Sequence, residues 1–229
     1  MFLKRKNVSI FGIRAVGKSS YLAMLIHVLS HTPHVFDFYI PDTVAAGYIT
    51  NLMRWILRGE GPPPSKVGER MLIPVRIKID RKNFEIKTYD LAGEDIERMG
   101  ETFKQLIDIG DGYIFLIEPT PDPDKKVTQV WLIYRFVEYL TKGFSKKVGK
   151  PVAFTFTKND IYNIKNAEKH FWEYTGVVFN LAHILNRLKK YAFFAVSAFG
   201  GDLETLKAQG KQPKPIDVEK PFFWVINNL

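Results

Sequence analysis

Cysteine is absent from the 229-residue chain, which excludes a disulfide framework and thiolate metal sites. Long apolar runs are missing too, since no stretch approaches the ~18 consecutive apolar residues of a membrane-spanning helix. The chain opens without the pattern of a secretory signal, and neither end has a lipidation motif. No internal repeat or low-complexity segment interrupts it. These absences predict a cytoplasmic protein.

Positive charge is in excess, but it is not concentrated in one stretch of the chain. The net charge is +9, while the longest basic runs are only Lys4-Arg5-Lys6 and Lys189-Lys190. Such an excess is compatible with an acidic partner, either nucleic acid or an anionic membrane surface. A solvated, lysine-rich surface is the simpler interpretation.

The segment from Gly12 to Ser19 fits the pattern G-x-x-x-x-G-K-S/T at every fixed position. A β-rich run precedes it and an apolar, helical stretch over 18–30 follows, so the context is that of a phosphate-binding loop. Glycines at both ends let backbone N–H groups turn towards a phosphate, Lys18 reaches the β- and γ-phosphates, and the Ser19 hydroxyl is a Mg²⁺ ligand. The nucleotide-binding candidates in this segment are Gly12, Ala15, Val16, Gly17, Lys18, Ser19 and Ser20.

A second phosphate-site motif, Asp90-Leu91-Ala92-Gly93, follows a predicted strand over 84–89. An Asp at the carboxyl end of a strand can hold the Mg²⁺ shell, directly or through water. Gly93 lacks a side chain, so its N–H can approach the γ-phosphate. By itself D-x-x-G also describes ordinary turns, but after a phosphate loop it indicates the metal side of a nucleotide site.

Strands alternate with helices along the rest of the chain, which predicts a three-layer α/β P-loop fold. Buried strands are expected over 112–117, 151–157 and 191–196. Between the phosphate loop and Asp90 we expect a short strand or extended piece over 35–40 and a helix over 43–58. Pro74 marks the strand over 71–79 as an edge strand in a hairpin with 84–89. The prediction is one domain over 1–229, with a mostly parallel six-stranded sheet, one antiparallel edge strand and a helical insertion at about 33–68.

Two further motifs follow buried strands, and with them the chain resembles the Ras-like small GTPases of the translation-factor-related class. Thr157-Lys158-x-Asp160 is similar to the N/T-K-x-D guanine box of that family, and Ser197-Ala198 is similar to its S-A-K turn. The resemblance implies that the Asp160 carboxylate accepts hydrogen bonds from guanine N1 and N2. It also implies that the Lys158 stem stacks along the base and that a backbone N–H of the turn meets guanine O6. Phe199 replaces the Lys of the turn.

The chain departs from that family in the stretches around its two switch regions. The stretch between Lys18 and Asp90 is roughly thirty residues longer than in a minimal Ras-like protein. Pro62-Pro63-Pro64-Ser65 resembles the P-P-x-T segment of the double-GTPase subfamily, which makes Ser65 the first candidate for the switch-one Mg²⁺ ligand, ahead of Thr43 and Thr50. Glu94 occupies the position of the water-orienting Gln.

The resemblance implies a Mg²⁺-dependent GTP-binding protein with slow GTP hydrolysis and two nucleotide-controlled switches, over 33–68 and 92–110, that contact a protein effector or regulator. The alternatives are a non-hydrolysing pseudo-GTPase scaffold, a nucleic-acid-associated GTPase, and an ATPase or nucleotide kinase. Asp160 argues against the last of these. Catalytic candidates are Glu94, Arg14, Lys18 and Gly93; metal-ligand candidates are Ser19, Ser65 and Asp90.

Overall fold

The structure is a computed structural model that describes residues 6–13, 15–33, 35–61, 71–79, 82–90, 100–176 and 181–229. Its strands are β1 (Lys6–Phe11), β2 (Val35–Tyr39), β3 (Met71–Ile79), β4 (Lys82–Asp90), β5 (Gly112–Ile117), β6 (Val152–Phe156) and β7 (Tyr191–Ala195). In the described ranges the helices are α1 (Lys18–Ser30), α2 (Thr43–Leu57), α3 (Glu101–Ile109), α4 (Pro123–Leu140), α5 (Asn159–Tyr162), α6 (Ala167–Thr175), α7 (Leu181–Leu185), α8 (Leu203–Ala208) and α9 (Lys220–Asn227).

The strands form a sheet in the order β2-β3-β4-β1-β5-β6-β7. All neighbouring pairs are parallel except the two that involve β3, so the prediction of a mostly parallel sheet with one antiparallel strand is confirmed. The sheet has seven strands instead of the six expected, because β2 pairs with the outer side of β3 and takes the edge. The pairing of β2 with β3 ends at Arg76, so Pro74, which has no N–H to donate, lies beyond it.

Both faces of the sheet are buried, as the central strand β1 demonstrates. Ser9 donates a hydrogen bond to the carbonyl of Leu106 in α3, and the Phe11 ring lies 5.2 Å from that of Phe103. Because successive side chains of a strand point to opposite faces, Val8 and Ile10 face the other helical layer, and both are buried. The three-layer architecture follows from this alternation.

The parallel strands β4, β1, β5, β6 and β7 all end at one edge of the sheet. In such a sheet the loops at the carboxyl ends of the strands form the ligand-binding crevice. The loops after β1, β6 and β7 carry the phosphate loop, the guanine-box motif and the Ser197-Ala198 turn. The fold therefore brings to one edge motifs that are far apart in sequence.

The helix expected over 43–58 is observed as α2, and its N-terminus is capped by Asp42, whose side chain accepts a hydrogen bond from Ala45 N at 2.8 Å. No helix is predicted from the sequence between β7 and α9, and α8 lies there. The missed signal is Asp202, which caps α8 by accepting from Thr205 N. In the described ranges, no helix combines the length and the apolar character needed to span a membrane.

Candidate nucleotide-binding site

The phosphate loop has the backbone conformation that its glycines permit. Gly12 has φ 156° and Gly17 has φ 89°, and Ala15 between them is also left-handed, with φ 60°. A Cβ on Gly12 would lie 2.6 Å from Val16 Cγ1 and 3.0 Å from the carbonyl oxygen of Leu116. The loop is thus a cradle that closes tightly against the end of β5 and that leaves no room for a side chain at its first residue.

Lys18 lies at the start of α1, and its side chain turns back across the loop. The residue is 7% exposed, and its ammonium donates hydrogen bonds to the carbonyls of Gly12 and Ile13, each at 2.9 Å. These acceptors hold the charge over the concave side of the loop, where β- and γ-phosphates would lie in a P-loop protein. The sequence-predicted role of Lys18 therefore has a matching geometry.

The N-terminus of α1 adds a second source of positive potential at the loop. Its N-cap is Gly17, which has no side chain to accept from the first backbone N–H groups of the helix. Such N–H groups, together with the helix dipole, favour an anion at this position. Ser20, in the same turn, is buried.

The residues that could hold Mg²⁺ are hard oxygen donors, as that ion requires. Ser19 lies in the first turn of α1, and Asp90 ends β4 on the strand that pairs in parallel with β1. Both positions are at the carboxyl edge of the sheet. In the described part of the chain no cluster of three or more His, Asp or Glu side chains could hold a metal. Ser19 and Asp90 are therefore the sequence-predicted metal ligands whose positions in the fold are described.

The guanine-box motif is attached directly to the phosphate loop. Thr157 Oγ1 donates a hydrogen bond to the carbonyl of Val16 at 2.8 Å, although the two residues are 141 positions apart. Thr157 is 5% exposed, and its N–H also donates to Ile117 O at 2.8 Å. A buried hydrogen bond of this kind sets the distance between the two loops, and therefore between a bound phosphate chain and a bound base.

Asp160 and Ser197 come together at the base end of the site. Ser197 Oγ donates to Asp160 Oδ1 at 2.5 Å and accepts from the N–H groups of Phe199 and Gly200, at 3.2 and 2.7 Å. These bonds orient one carboxylate oxygen of Asp160, and in the described part of the chain the other oxygen has no donor and can accept from a ligand. Within the described ranges, the N–H of Ala198 has no acceptor, so it is available to a carbonyl such as guanine O6.

Glu118 is a residue of this site that sequence reasoning missed. Its carboxylate is buried at the end of β5, bonds to Lys125, and accepts from Lys158 Nζ at 2.6 Å. Its backbone is clamped by Gln129, which donates to Glu118 O at 2.9 Å and accepts from Glu118 N at 2.8 Å. The available signal was a single charged residue directly after the apolar run of β5.

Four sequence-predicted residues, Arg14, Ser65, Gly93 and Glu94, lie outside the described residues, as does the side chain of Asp90. The alternative switch-one ligands are described: Thr43 begins α2, and Thr50 Oγ1 donates to Ala46 O within it. The internal bond of Thr50 favours a structural role for its hydroxyl.

No protein-family model matches the chain, and no curated protein matches its sequence. Among solved structures, the chain is similar to the Arl6 BBS3 small GTPase from Trypanosoma brucei with bound nucleotide analogue GppNp. The two share 13% sequence identity and align with a TM-score of 0.50, over 98% of this chain and 96% of that one. At this identity the likeness shows the fold alone: a Ras-like, three-layer P-loop fold.

Proposed function

We propose that the chain is a GTP-binding protein that acts as a nucleotide-controlled switch. The observation that carries the proposal is the bond from Thr157 Oγ1 to Val16 O, because it joins a loop suited to phosphates to a loop suited to a base. The similarity to a small GTPase with a bound GTP analogue agrees with a nucleotide at this edge of the sheet.

Selectivity for guanine rests on Asp160. A carboxylate oriented by Ser197 accepts hydrogen bonds from the N1–H and the N2 amino group of guanine. Adenine has no hydrogen on N1 and no 2-amino group, so an ATP-binding protein or a nucleotide kinase for adenine would leave this carboxylate unpaired. The cost of an unpaired polar group is what makes such a site selective.

Magnesium and hydrolysis are the finer parts of the proposal. Mg²⁺ held by Ser19 and Asp90 would neutralise charge on the β- and γ-phosphates, and Lys18 would act on the same charge. Hydrolysis is expected to be slow, since Glu94 replaces the residue that orients water in Ras-like proteins. Membership of the translation-factor-related class, or of its double-GTPase subfamily, remains a prediction from the sequence motifs.

The experiment that tests the proposal is competition of ATP, GTP and XTP against labelled GDP on the purified chain. We expect GTP to compete and ATP to fail. Asp160→Asn should weaken GTP and improve XTP, because the donor–acceptor pattern at the base is reversed. Lys18→Ala should abolish tight binding of every nucleotide. Equal affinity for ATP and GTP would overturn the guanine assignment.

The leading alternative is a pseudo-GTPase scaffold, which the sequence favours only through Glu94. Single-turnover phosphate release distinguishes a scaffold from a GTPase, since a scaffold binds GTP without releasing phosphate.

The proposal also includes a protein effector or regulator that contacts the switch regions, and a cytoplasmic location. A nucleic-acid-associated GTPase has only the net charge of +9 in its favour, and absence of retention on RNA at low salt would exclude it.

A further inference from the structure

A basic pocket lies at the edge of the sheet opposite the nucleotide site. It is formed by α3 from Lys104 onward, the end of α4 and the loop over 141–150. The helix α3 leads to the amino end of β5, and the loop leads to the amino end of β6. Its volume is about 1100 Å³, and six basic side chains line it against two acidic ones. The basic residues are Lys104, Arg135, Lys142, Lys146, Lys147 and Lys150.

Both carboxylates in the pocket are already engaged by neighbours. Asp108 accepts from Tyr139 Oη at 3.2 Å, and Glu138 pairs with Arg135 one helical turn away on α4. By contrast, Lys142, Lys146 and Lys147 have no ion-pair partner in the part of the chain that the structure describes. All three lysines are exposed and line the pocket, so several positive charges would attract an anion bound there.

The loop that carries these lysines is held in one conformation. Lys142, Gly143 and Phe144 all have positive φ angles, of 53°, 65° and 63°, which is a strained arrangement for the two residues with side chains. The Phe144 ring packs at 5.3 Å on Tyr134, and Phe144 N donates to the buried Thr141 Oγ1 at 3.1 Å. The backbone of the loop is thus ordered before binding, whereas its exposed lysine side chains still lose rotamer freedom when they contact a ligand.

Two further basic residues of the pocket have partly or fully buried nitrogens. Lys150 Nζ donates to Gly110 O at 2.6 Å and to Tyr113 Oη at 3.0 Å, and an ammonium has a third hydrogen to offer. Burial lowers the pKa of Lys150. The Arg135 Nε is buried, and within the described ranges it has no hydrogen-bond acceptor.

We propose that this pocket binds a multiply phosphorylated anion with the chemistry of an inositol polyphosphate, either free or as a lipid headgroup. A single phosphate would engage only part of a space of about 1100 Å³, whereas several phosphates on one ring match several lysines around one concavity. A nucleic-acid strand suits the arrangement less well, because it requires charges spread along a groove and aromatic platforms for its bases.

The test measures binding of inositol hexakisphosphate to the full chain by calorimetry in physiological salt. The variant is Lys146→Glu/Lys147→Glu, and the matched control is Lys207→Glu/Lys211→Glu, which makes the same charge change at exposed lysines outside the pocket. We expect the pocket variant to lose at least about tenfold in affinity, since two attractive charges become repulsive. The control should stay within about threefold, because distant surface charges are screened at this salt.

Vesicles with and without a phosphoinositide identify the source of the ligand. Retention on phosphoinositide vesicles, lost in the pocket variant only, supports the headgroup, and binding of the soluble probe alone supports a free ligand. Absence of binding to both probes overturns the proposal, as does an equal loss in both variants. Single-stranded RNA that displaces the inositol phosphate at lower concentration would overturn it in favour of nucleic acid. An unchanged thermal unfolding transition in all variants serves as the folding control.

Discussion

Glu118 and Lys158 form an ion pair, with 2.6 Å between Oε1 and Nζ, that joins the end of β5 to the guanine-box loop. Lys158 has a left-handed backbone, with φ 56°, so its side chain leaves the loop in a direction that this pairing stabilises. Gln129 fixes the backbone of Glu118 with two hydrogen bonds. The acidic residue thus positions a lysine that, on the proposed function, lies along the guanine base.

Glu118→Gln should consequently weaken GDP and GTP binding by about tenfold, equivalent to about 1.4 kcal/mol. Glutamine keeps the volume and one acceptor but removes the charge that holds Lys158. Stopped-flow measurement with a fluorescent GDP should assign the loss to faster dissociation. The matched control is Glu173→Gln, which removes the same charge from an exposed pair with Lys169 and should leave the affinity unchanged. An unchanged dissociation rate in Glu118→Gln would contradict the positioning role.

Gly12→Ala should disrupt the phosphate loop. The new Cβ would lie 2.6 Å from Val16 Cγ1 and 3.0 Å from the Leu116 carbonyl, so the loop must move away from β5. We expect a loss of nucleotide affinity of more than tenfold and a fall in the free energy of unfolding of about 1–3 kcal/mol. Titration with fluorescent GDP and urea unfolding measure the two effects. Gly47→Ala in α2 is the control, because an added Cβ there would meet no atom of another element within 4 Å. This variant should be neutral or slightly stabilising.

Hydrolysis should depend on Glu94 and Arg14, a prediction that comes from the sequence motifs. A carboxylate can accept a hydrogen bond from the attacking water, but it brings negative charge near the γ-phosphate, so intrinsic turnover should stay well below the ~1 s⁻¹ of assisted GTPases. Glu94→Gln should maintain or raise the rate of single-turnover phosphate release, and Glu94→Ala should lower it. Wild-type rates in both Glu94→Ala and Arg14→Ala would assign catalysis to other groups.

The helix α2 should respond to the bound nucleotide. Its buried face, with Ile49, Leu52 and Ile56, packs on α1 and β3, and Trp55 is partly buried against the same core. We expect hydrogen exchange along α2 to differ between the GDP state and a non-hydrolysable GTP state, because the helix lies in the predicted first switch region. Exchange in α6, which packs on the edge strand β7 at the other end of the sheet, should not change. Identical exchange of α2 in both states would refute a switch that includes it.

The sequence alone determined the features that depend on a short stretch of chain. The phosphate loop is specified by glycines and a lysine at set spacings, and helix α2 is specified by an aspartate cap and a regular apolar stripe. Strong alternation of apolar strands and helices was enough to predict the three layers, because each element must bury its apolar face. These properties are local, so a single chain segment contains all the information that specifies them.

Only the tertiary structure decided which distant side chains meet. The partner of Lys158 is Glu118, and the partner of the Val16 carbonyl is Thr157, and neither pair has a spacing that could be recognised in the sequence. The seventh strand also depends on a tertiary contact, since β2 joins the sheet only because β3 presents an unpaired edge to it. The lysines of the far pocket line one concavity because the ends of α3 and α4 pack together. Such contacts depend on the three-dimensional arrangement of strands and helices, which local propensity and spacing do not specify.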